Sequence, residues 1–330
     1  MGKKVLISGG AGFIGSHMVD RLLRRNDLET LVVVDNFWTG LATNLAHIRD
    51  PRLNLVTSNI EDFATGDKFD EIIHLASPAS PPWYMREPIR TIRANLVGAL
   101  NLVEMLVPGG RMSFASTSEV YGDPLVTPQP ESYRGFVDCT GPRSSYDESK
   151  RCTEALLFEC QRTRGIEIRV VRLFNVYGPR TRPDDGRAVS NFLSQALTHG
   201  ELTLYGEGDQ TRSWGYVDDI VDALERFFWL DSGITYGGPL NVGNDREISV
   251  AEVANYIVSL VPGARIKMCP PIPQDPTNRR PDLTICRQVL PGWQANITYE
   301  EGVKRTLDWF RDQIQHGAET DAPSPVRLED

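Results

Sequence analysis

The hydrophobic residues in the first half of the chain fall into short continuous runs separated by amphipathic segments. The runs predict buried strands, and the segments between them predict helices. Strands are expected at residues 4–8, 30–35, 53–57, 71–76, 112–116 and 167–173. Helices are expected at residues 12–25, 88–107 and 144–164. Apolar strands that alternate with helices indicate an α/β fold with a parallel sheet covered on both faces.

The pattern changes after Gly178, where loops rich in Gly, Pro, Arg and Asp separate shorter elements. Long ordered loops in a compact domain are usually functional. We therefore predict a smaller substrate-binding lobe at the carboxyl ends of the strands, where open α/β sheets bind ligands. The nucleotide-binding domain is expected at residues 1–178 and about 214–242, with a helix at 217–229. The lobe is expected at 179–213 and 243–314, and a mobile tail at 315–330.

Composition and charge narrow the classes of function. Hydrophobic residues are 40% and charged residues 24% of the chain, as in ordinary globular proteins. The net charge of -9 argues against binding to nucleic acid. No apolar stretch is long enough for a signal peptide or a membrane span. The cysteines and histidines show no metal-ligand spacing, so we expect a cytoplasmic protein without a metal.

Three glycines follow the first predicted strand and open the first helix. Gly9, Gly12 and Gly15 give the spacing G-x-x-G-x-x-G, a variant of the dinucleotide-binding pattern. Glycine permits the tight turn and the close approach of a pyrophosphate, and the helix N-terminus supplies N–H donors. Asp35 ends the second strand, where a carboxylate would bind the ribose hydroxyls and repel a 2′-phosphate. This arrangement predicts NAD⁺; the structural alternative for Asp35 is a cap of the following turn.

A tyrosine and a lysine in the helix at 144–164 form a candidate catalytic pair. Tyr146 and Lys150 are four residues apart, so their side chains emerge on one helix face. A free tyrosine has a pKa near ~10. A nearby ammonium favours its phenolate and makes proton transfer feasible. This spacing is common by chance on solvated helices, but here it follows the glycine turn and a strand that ends in Ser116 and Thr117.

Five longer segments carry a resemblance to a known family. They are HLASPASPP at 74–82, STSEVYGDP at 116–124, GPR at 141–143 with YDESK at 146–150, DGRAVSNF at 185–192, and QTR at 210–212. Through them the chain, from Lys4 to about Phe310, resembles the extended short-chain dehydrogenase/reductases, and more narrowly the UDP-glucuronate decarboxylases. The resemblance implies a Rossmann-type doubly wound sheet, bound NAD, a UDP-sugar substrate, and a homodimer formed through the helices near 88–107 and 144–164.

The resemblance also implies a reaction cycle without net oxidation. Tyr146 takes the proton of the sugar 4-OH while the C4 hydride passes to NAD⁺, with Lys150 and Thr117 supporting the phenolate and the developing carbonyl. The C4 ketone is β to the C6 carboxylate, so CO₂ leaves as its electron pair is delocalised into an enolate. Protonation at C5 and return of the hydride give the pentose. Whether the 4-keto intermediate is released or reduced is not visible in the sequence.

Similarity assigns further residues to the carboxylate end of the sugar. Glu119 and Arg212 are implied near the carboxylate and C5, with Ser118 as a hydrogen-bond donor. A guanidinium suits a carboxylate geometrically, so Arg212 is expected to orient the carboxylate or to deliver the proton. Related 4,6-dehydratases carry Asp where Ser118 stands, and 4-epimerases have a small residue where Glu119 stands. Those two activities are the alternative functions. A non-catalytic NAD-binding scaffold is a third possibility, against which Tyr146 and Lys150 argue.

The remaining site residues rest on the resemblance alone. At the cofactor they are Phe13, Ile14, Asn36, Asn59, Ile60, Leu75 and Ala76. At the substrate they are Tyr84 near the sugar, Arg279 near the diphosphate, with Arg280 as its alternative, and Asn175, Arg187, Val189 and Phe192 around the nucleotide. The departures from the family pattern are Ser8, Asn59, Trp83 and Trp214. The two tryptophans are expected near the sugar, and they leave the exact substrate open.

Overall fold

Parallel strands form the central sheet of the protein, which confirms the predicted fold class. The computed structural model describes residues 2–229, 236–271 and 278–315. Its strands are β1 (Lys3–Ser8), β2 (Leu28–Asp35), β3 (Leu53–Thr57), β4 (Phe69–His74), β5 (Leu106–Thr117), β6 (Glu167–Leu173), β7 (Val176–Tyr177), β8 (Glu201–Tyr205), β9 (Thr211–Ser213), β10 (Gly215–Tyr216), β11 (Leu240–Val242), β12 (Glu247–Ser249), β13 (Arg265–Cys269) and β14 (Asn278–Arg279).

The order of the strands creates a crevice for ligands. The seven-stranded sheet has the order β11-β6-β5-β4-β1-β2-β3, and all its neighbouring strands are parallel. The chain runs from β1 outward to β3 and then returns to β4 on the other side of β1. The direction of winding therefore reverses between β1 and β4. In such sheets ligands bind outside the carboxyl ends of the strands at this reversal.

Helices cover both faces of the sheet. They are α1 (Phe13–Leu23), α2 (Pro81–Arg86), α3 (Pro88–Glu104), α4 (Ser144–Arg164), α5 (Ala188–Thr198), α6 (Val217–Phe228), α7 (Val250–Leu260), α8 (Thr284–Val289) and α9 (Tyr299–Gln315). One hydrophobic core joins α1 and α6 to one face and continues into the lobe formed by α5, α7 and α9. A second core joins α3 and α4 to the other face. Among the described residues, no helix has the length and apolarity that a membrane crossing requires.

Several predicted boundaries change in the structure. The helix predicted at 88–107 ends at Glu104, because Leu106 pairs with Phe69 and starts β5. The strand predicted at 71–76 ends at His74, so residues 75 and 76 lie in a loop over the sheet edge. The short helix α2 was not among the predicted elements; its Pro-Pro start fits the first helical turn.

The smaller lobe consists of short strands and helices beyond β7. Small sheets pair β8 with β13, and β9 with both β12 and β14. Gln315, predicted to open the mobile tail, is the last residue of α9. The rest of that predicted tail, 316–330, lies outside the described residues. So do residues 230–235 of the predicted nucleotide-binding domain and residues 272–277 of the predicted substrate-binding lobe.

Candidate active site

A cavity of about 890 Å³ lies at the carboxyl ends of the central strands, between the sheet and the smaller lobe. This volume is in the range of small-molecule sites. Every predicted site residue except Asn59 lines it. These residues are Gly9, Gly12, Phe13, Ile14, Gly15, Asp35, Asn36, Ile60, Leu75, Ala76, Tyr84, Thr117, Ser118, Glu119, Tyr146, Lys150, Asn175, Arg187, Val189, Phe192, Arg212 and Arg279.

The glycine turn has the geometry of a phosphate cradle. Gly9 has a φ of +74°, and a Cβ there would lie 2.7 Å from the backbone nitrogen of Ala76. A Cβ at Gly15 would lie 2.0 Å from the carbonyl oxygen of Gly9. α1 then begins at Phe13, and its N-cap Gly12 provides no side chain to cap the first N–H groups. The turn and the helix N-terminus thus fit the diphosphate of a dinucleotide.

Asp35 holds the glycine turn to the loop after β2. Its Oδ2 accepts a hydrogen bond from the Ala11 N–H at 2.8 Å, and its Oδ1 accepts one from the Phe37 N–H at 2.9 Å. Burial raises the pKa of Asp35, and the backbone N–H groups act against that rise. The capping role considered as the alternative is therefore present, while the carboxylate also lines the cavity.

The side chain of Asn59 forms hydrogen bonds near the cavity without lining it. Its Oδ1 accepts from Asn36 Nδ2 at 3.0 Å and from Arg90 Nη2 at 2.8 Å, and its Nδ2 donates to Asp62. The Arg90 guanidinium in turn lies over the ring of Trp38, 4.3 Å from the centroid. The structure therefore places Asn59 behind Asn36, in contact with a residue that does line the cavity.

Tyr146 and Lys150 lie together on the cavity face of α4. Tyr146 is 5% exposed and stacks on Tyr84, with the ring centroids 4.9 Å apart and an interplanar angle of 6°. The hydroxyl of Tyr84 is buried and has no hydrogen-bond partner in the part of the chain that the structure describes. Lys150 Nζ donates to the carbonyl oxygen of Ala115 at 2.8 Å and lies 5.8 Å from the Tyr146 ring centroid. Lys150 is thus anchored to β5, beside Tyr146.

Burial has the largest effect on the pKa values of Tyr146 and Lys150. It raises the pKa of Tyr146 to about 12, and a hydrogen bond with Thr117 acts in the opposite direction. Burial also lowers the pKa of Lys150 to about 7, and Glu154 opposes that shift. From the sequence, Lys150 was expected to lower the pKa of Tyr146. In the structure the net shift of that pKa is upward, because burial outweighs the hydrogen bond with Thr117.

Glu119 is held between two arginines at the end of β5. Thr117 caps the 3₁₀ turn Ser118–Tyr121, because its Oγ1 accepts from the Glu119 N–H at 3.2 Å. Arg143 donates to Glu119 Oε2, and Arg279 donates to Oε1. Arg279 is 4% exposed, and burial lowers its pKa to about 10. Glu119 is therefore a fixed, charge-compensated carboxylate in the cavity wall rather than a surface acid.

Arg212 and Arg279 are neighbours on the small sheet. β9 and β14 run parallel with Arg279 in register with Arg212, so both side chains lie on the same sheet face. Arg212 also donates to the carbonyl oxygen of Thr211 at 2.9 Å. Arg280 does not line the cavity and lies 3.6 Å from Glu247. Of the two candidates left open by the sequence, Arg279 is therefore the one in the cavity.

Arg143 was not among the predicted site residues, although the GPR segment at 141–143 was part of the family resemblance. It precedes Tyr146 by one helical turn at the N-cap of α4, and that spacing could have suggested a shared face. The two departures Trp83 and Trp214 both line the cavity, and Arg182 lies over the Trp83 ring, 5.1 Å from its centroid. Within the described ranges, no group of three His, Cys, Asp or Glu residues could hold a metal ion.

Sequence comparison finds relatives over most of the chain. The model of the NAD dependent epimerase/dehydratase family matches residues 5–243. UDP-glucuronic acid decarboxylase 5 of Arabidopsis thaliana is 46% identical over 311 residues, which are 93% of this chain and 89% of the relative. UDP-glucuronic acid decarboxylase 1 of Xenopus tropicalis is 42% identical over 332 residues, which are 99% of this chain and 77% of the relative.

Solved structures share the fold at lower identity. A UDP-glucose 4-epimerase from Thermotoga maritima, solved with UDP-glucose, has a TM-score of 0.82 and 30% identity and covers 94% of this chain and 99% of its own. A dTDP-glucose 4,6-dehydratase from Streptomyces venezuelae, solved with NAD and TYD bound, has a TM-score of 0.83 and 26% identity and covers 95% of this chain and 98% of its own. Of these four proteins, the decarboxylases are the most similar to this chain in sequence.

Proposed function

The chain belongs to the NAD dependent epimerase/dehydratase family, and from that premise we propose that it decarboxylates UDP-glucuronate to UDP-xylose with bound NAD. The identity of 41–46% to curated UDP-glucuronic acid decarboxylases supports this assignment. The single structural observation that carries it is Glu119, which follows Ser118 and is held by two arginines in the same cavity as Tyr146. This arrangement suits a substrate with a carboxylate next to the reacting carbons.

Each side chain has a proposed task in this reaction. NAD would be held by the glycine turn and Asp35, and when bound it would supply the hydride acceptor and donor for C4 of the sugar. Tyr146 removes the proton of the 4-OH, Lys150 stabilises its phenolate, and Thr117 donates a hydrogen bond to the developing C4 carbonyl. The C4 ketone then accepts the electron pair left by CO₂. Glu119 and Ser118 lie on the C5 side and keep the carboxylate end of the sugar in place.

The contact with Glu119 revises the roles that we propose for the two cavity arginines. From the sequence, Arg212 was expected at the substrate carboxylate and Arg279 at the diphosphate. Because Arg279 contacts Glu119 directly, we propose the reverse: Arg279 faces the carboxylate and C5, and its neighbour Arg212 faces the diphosphate. In both assignments, each guanidinium group contacts an anionic part of the substrate.

Arginine-to-lysine variants are expected to separate these two roles. Lysine keeps the charge and loses the forked geometry. We expect Arg279→Lys to lower kcat for UDP-glucuronate by roughly 10–100-fold, and Arg212→Lys mainly to raise KM. Arg280→Lys, whose side chain is 42% exposed and outside the cavity, is the matched control and should resemble the wild type. A larger kcat loss for Arg212→Lys than for Arg279→Lys would return the carboxylate to Arg212.

The decisive experiment for the function is a substrate assay. Purified protein with NAD⁺ and UDP-glucuronate should release CO₂ and form a nucleotide pentose, detected by mass. UDP-glucose serves as the comparison, because a 4-epimerase or 4,6-dehydratase would act on it without CO₂ release. Turnover of UDP-glucose together with no CO₂ from UDP-glucuronate would contradict the proposal and favour one of those activities.

We further propose a cytoplasmic homodimer in which α3 and α4 of each protomer form the contact. Three apolar side chains of α3 support this surface: Ile89 is 69%, Ile92 37% and Leu100 38% exposed. Burial of such a row against a second copy would remove apolar area from water. The two-domain division predicted from the sequence remains part of this proposal, with the substrate lobe placed over the cofactor.

A further inference from the structure

Asp147 is a buried carboxyl group directly behind the cavity wall. It follows Tyr146 in α4, is 5% exposed and does not line the cavity. Its Oδ1 is buried and has no hydrogen-bond partner among the described residues, and its Oδ2 lies 3.9 Å from Arg143 Nε, beyond hydrogen-bond distance. A buried carboxylate with so few partners is costly to ionise. The site of Asp147 therefore favours the neutral acid.

Arg143 links Asp147 to the cavity. Its guanidinium donates to Glu119, whose other oxygen accepts from Arg279. Asp147, Arg143, Glu119 and Arg279 thus form a row of alternating charges that ends in the cavity. We call these four residues the charge row. With both acids ionised, its two positive and two negative charges cancel.

The charged and titratable groups that face Asp147 place its titration near neutral pH. They are Arg143 and Glu148 from its own helix, Tyr84 from α2, and Tyr146. Burial outweighs the favourable Arg143 charge and raises the pKa of Asp147 to about 7, and Glu148 acts in the same direction. A small change in the local field is therefore enough to change the charge of Asp147.

A substrate carboxylate beside Arg279 would add one negative charge to the charge row. Resting on the function proposed above, we propose that Asp147 is a positioning residue that takes up one proton when the substrate carboxylate binds. The proton comes from solvent and forms the O–H bond of the Asp147 carboxyl; no other bond changes. With Asp147 protonated, the charge row has one net positive charge, which the substrate carboxylate cancels. The total charge is therefore the same as that of the charge row without substrate and with Asp147 ionised.

Protonation of Asp147 has a consequence for Glu119. Once Asp147 is neutral, Arg143 no longer divides its charge between two acids and pairs with Glu119 alone. Arg279 is then available to the incoming carboxylate while Arg143 holds Glu119 in place. Asp147 acts on the reaction through Arg143, without touching the substrate.

Calorimetry on the NADH-loaded protein tests this inference, because oxidation at C4 cannot start with reduced cofactor. UDP-glucuronate is titrated at about pH 8 in two buffers with different ionisation enthalpies, and the difference gives the protons taken up. We expect roughly 0.5–1 proton per UDP-glucuronate in the wild type, and less than about 0.2 for UDP-xylose, which lacks the carboxylate. Because binding consumes a proton, Kd for UDP-glucuronate should rise about fivefold from pH 7 to pH 8.

Two variants test whether Asp147 is the group that takes up the proton. Asp147→Asn should abolish the uptake and flatten the pH dependence of Kd. Glu159→Gln, an exposed acid of the same helix that pairs with Arg162 and does not face Asp147, makes a similar charge change and should behave as the wild type. Equal uptake for the two nucleotides in the wild type would overturn the inference without any variant, and so would uptake that persists in Asp147→Asn. UDP-glucuronate that binds without proton uptake contradicts this inference alone, whereas failure to bind at all would also overturn the proposed function.

Discussion

Replacing Tyr146 with phenylalanine is expected to lower kcat for UDP-glucuronate by roughly a thousandfold, within the range that a general base contributes. The phenol is the proposed base for the 4-OH proton, and the variant removes only that oxygen. The ring should keep its stacking on Tyr84, so the fold and the cavity are preserved. The measurement is kcat by CO₂ release, with NAD binding followed in parallel to show that the site is intact.

The matched control for this variant is Tyr133→Phe. Tyr133 lies outside the cavity, where its hydroxyl accepts a hydrogen bond from the Leu125 N–H at 3.1 Å. Tyr133→Phe also removes a phenol oxygen, but at a position away from the substrate. The kcat of this variant should therefore stay within about twofold of the wild type. A Tyr146→Phe protein that binds NAD and keeps most of its activity would rule out the phenol as the base.

Replacing Gly15 with alanine is expected to remove most of the affinity for NAD and to lower the stability of the fold. The added Cβ would lie 2.0 Å from the Gly9 carbonyl oxygen and 2.9 Å from Gly10 Cα. Both atoms belong to the backbone of the glycine turn, so the turn itself must move. Overpacking of this kind costs about 1–3 kcal/mol in free energy of unfolding. We expect Kd for NAD to rise by more than about tenfold, since the N–H groups of the turn lose their alignment.

Titration with NAD and thermal unfolding measure the two effects of this variant. Gly66→Ala is the matched control, because its Cβ would meet no atom within 4 Å and the residue is exposed. That protein should bind NAD and unfold like the wild type. If Gly15→Ala also kept wild-type affinity and stability, the close approach of α1 to the turn would not be what forms the cofactor site.

The strands and helices in the first half of the chain were predictable because they follow from the periodicity and composition of hydrophobic residues. The apolar runs became β1 to β6, and the ends of α4 and β6 agree with prediction to the residue. The end of α3 was less predictable, since Leu106 and Val107 continue the apolar spacing of the helix. Only the pairing of Leu106 with Phe69 turns them into a strand, and that pairing is a tertiary contact.

In the site, residues near each other in the chain were easier to group than residues brought together by folding. Tyr146 and Lys150 share a helix face, so their spacing was enough. Arg279 and Arg212 meet only because β14 pairs with β9, and no local pattern encodes that pairing. The direction of the Tyr146 pKa shift was also not predictable from the sequence. It depends on burial, which the spacing of Tyr146 and Lys150 does not reveal.

The shared cavity has a consequence for how the protein would use NAD. Residues assigned to the dinucleotide and residues assigned to the sugar line one continuous space. A decarboxylation that returns its hydride leaves the cofactor in its starting oxidation state, so a single NAD molecule can serve successive turnovers without leaving. The nucleotide would then act as a prosthetic group, and the flux through the enzyme would not depend on the ratio of oxidised to reduced NAD in the surroundings.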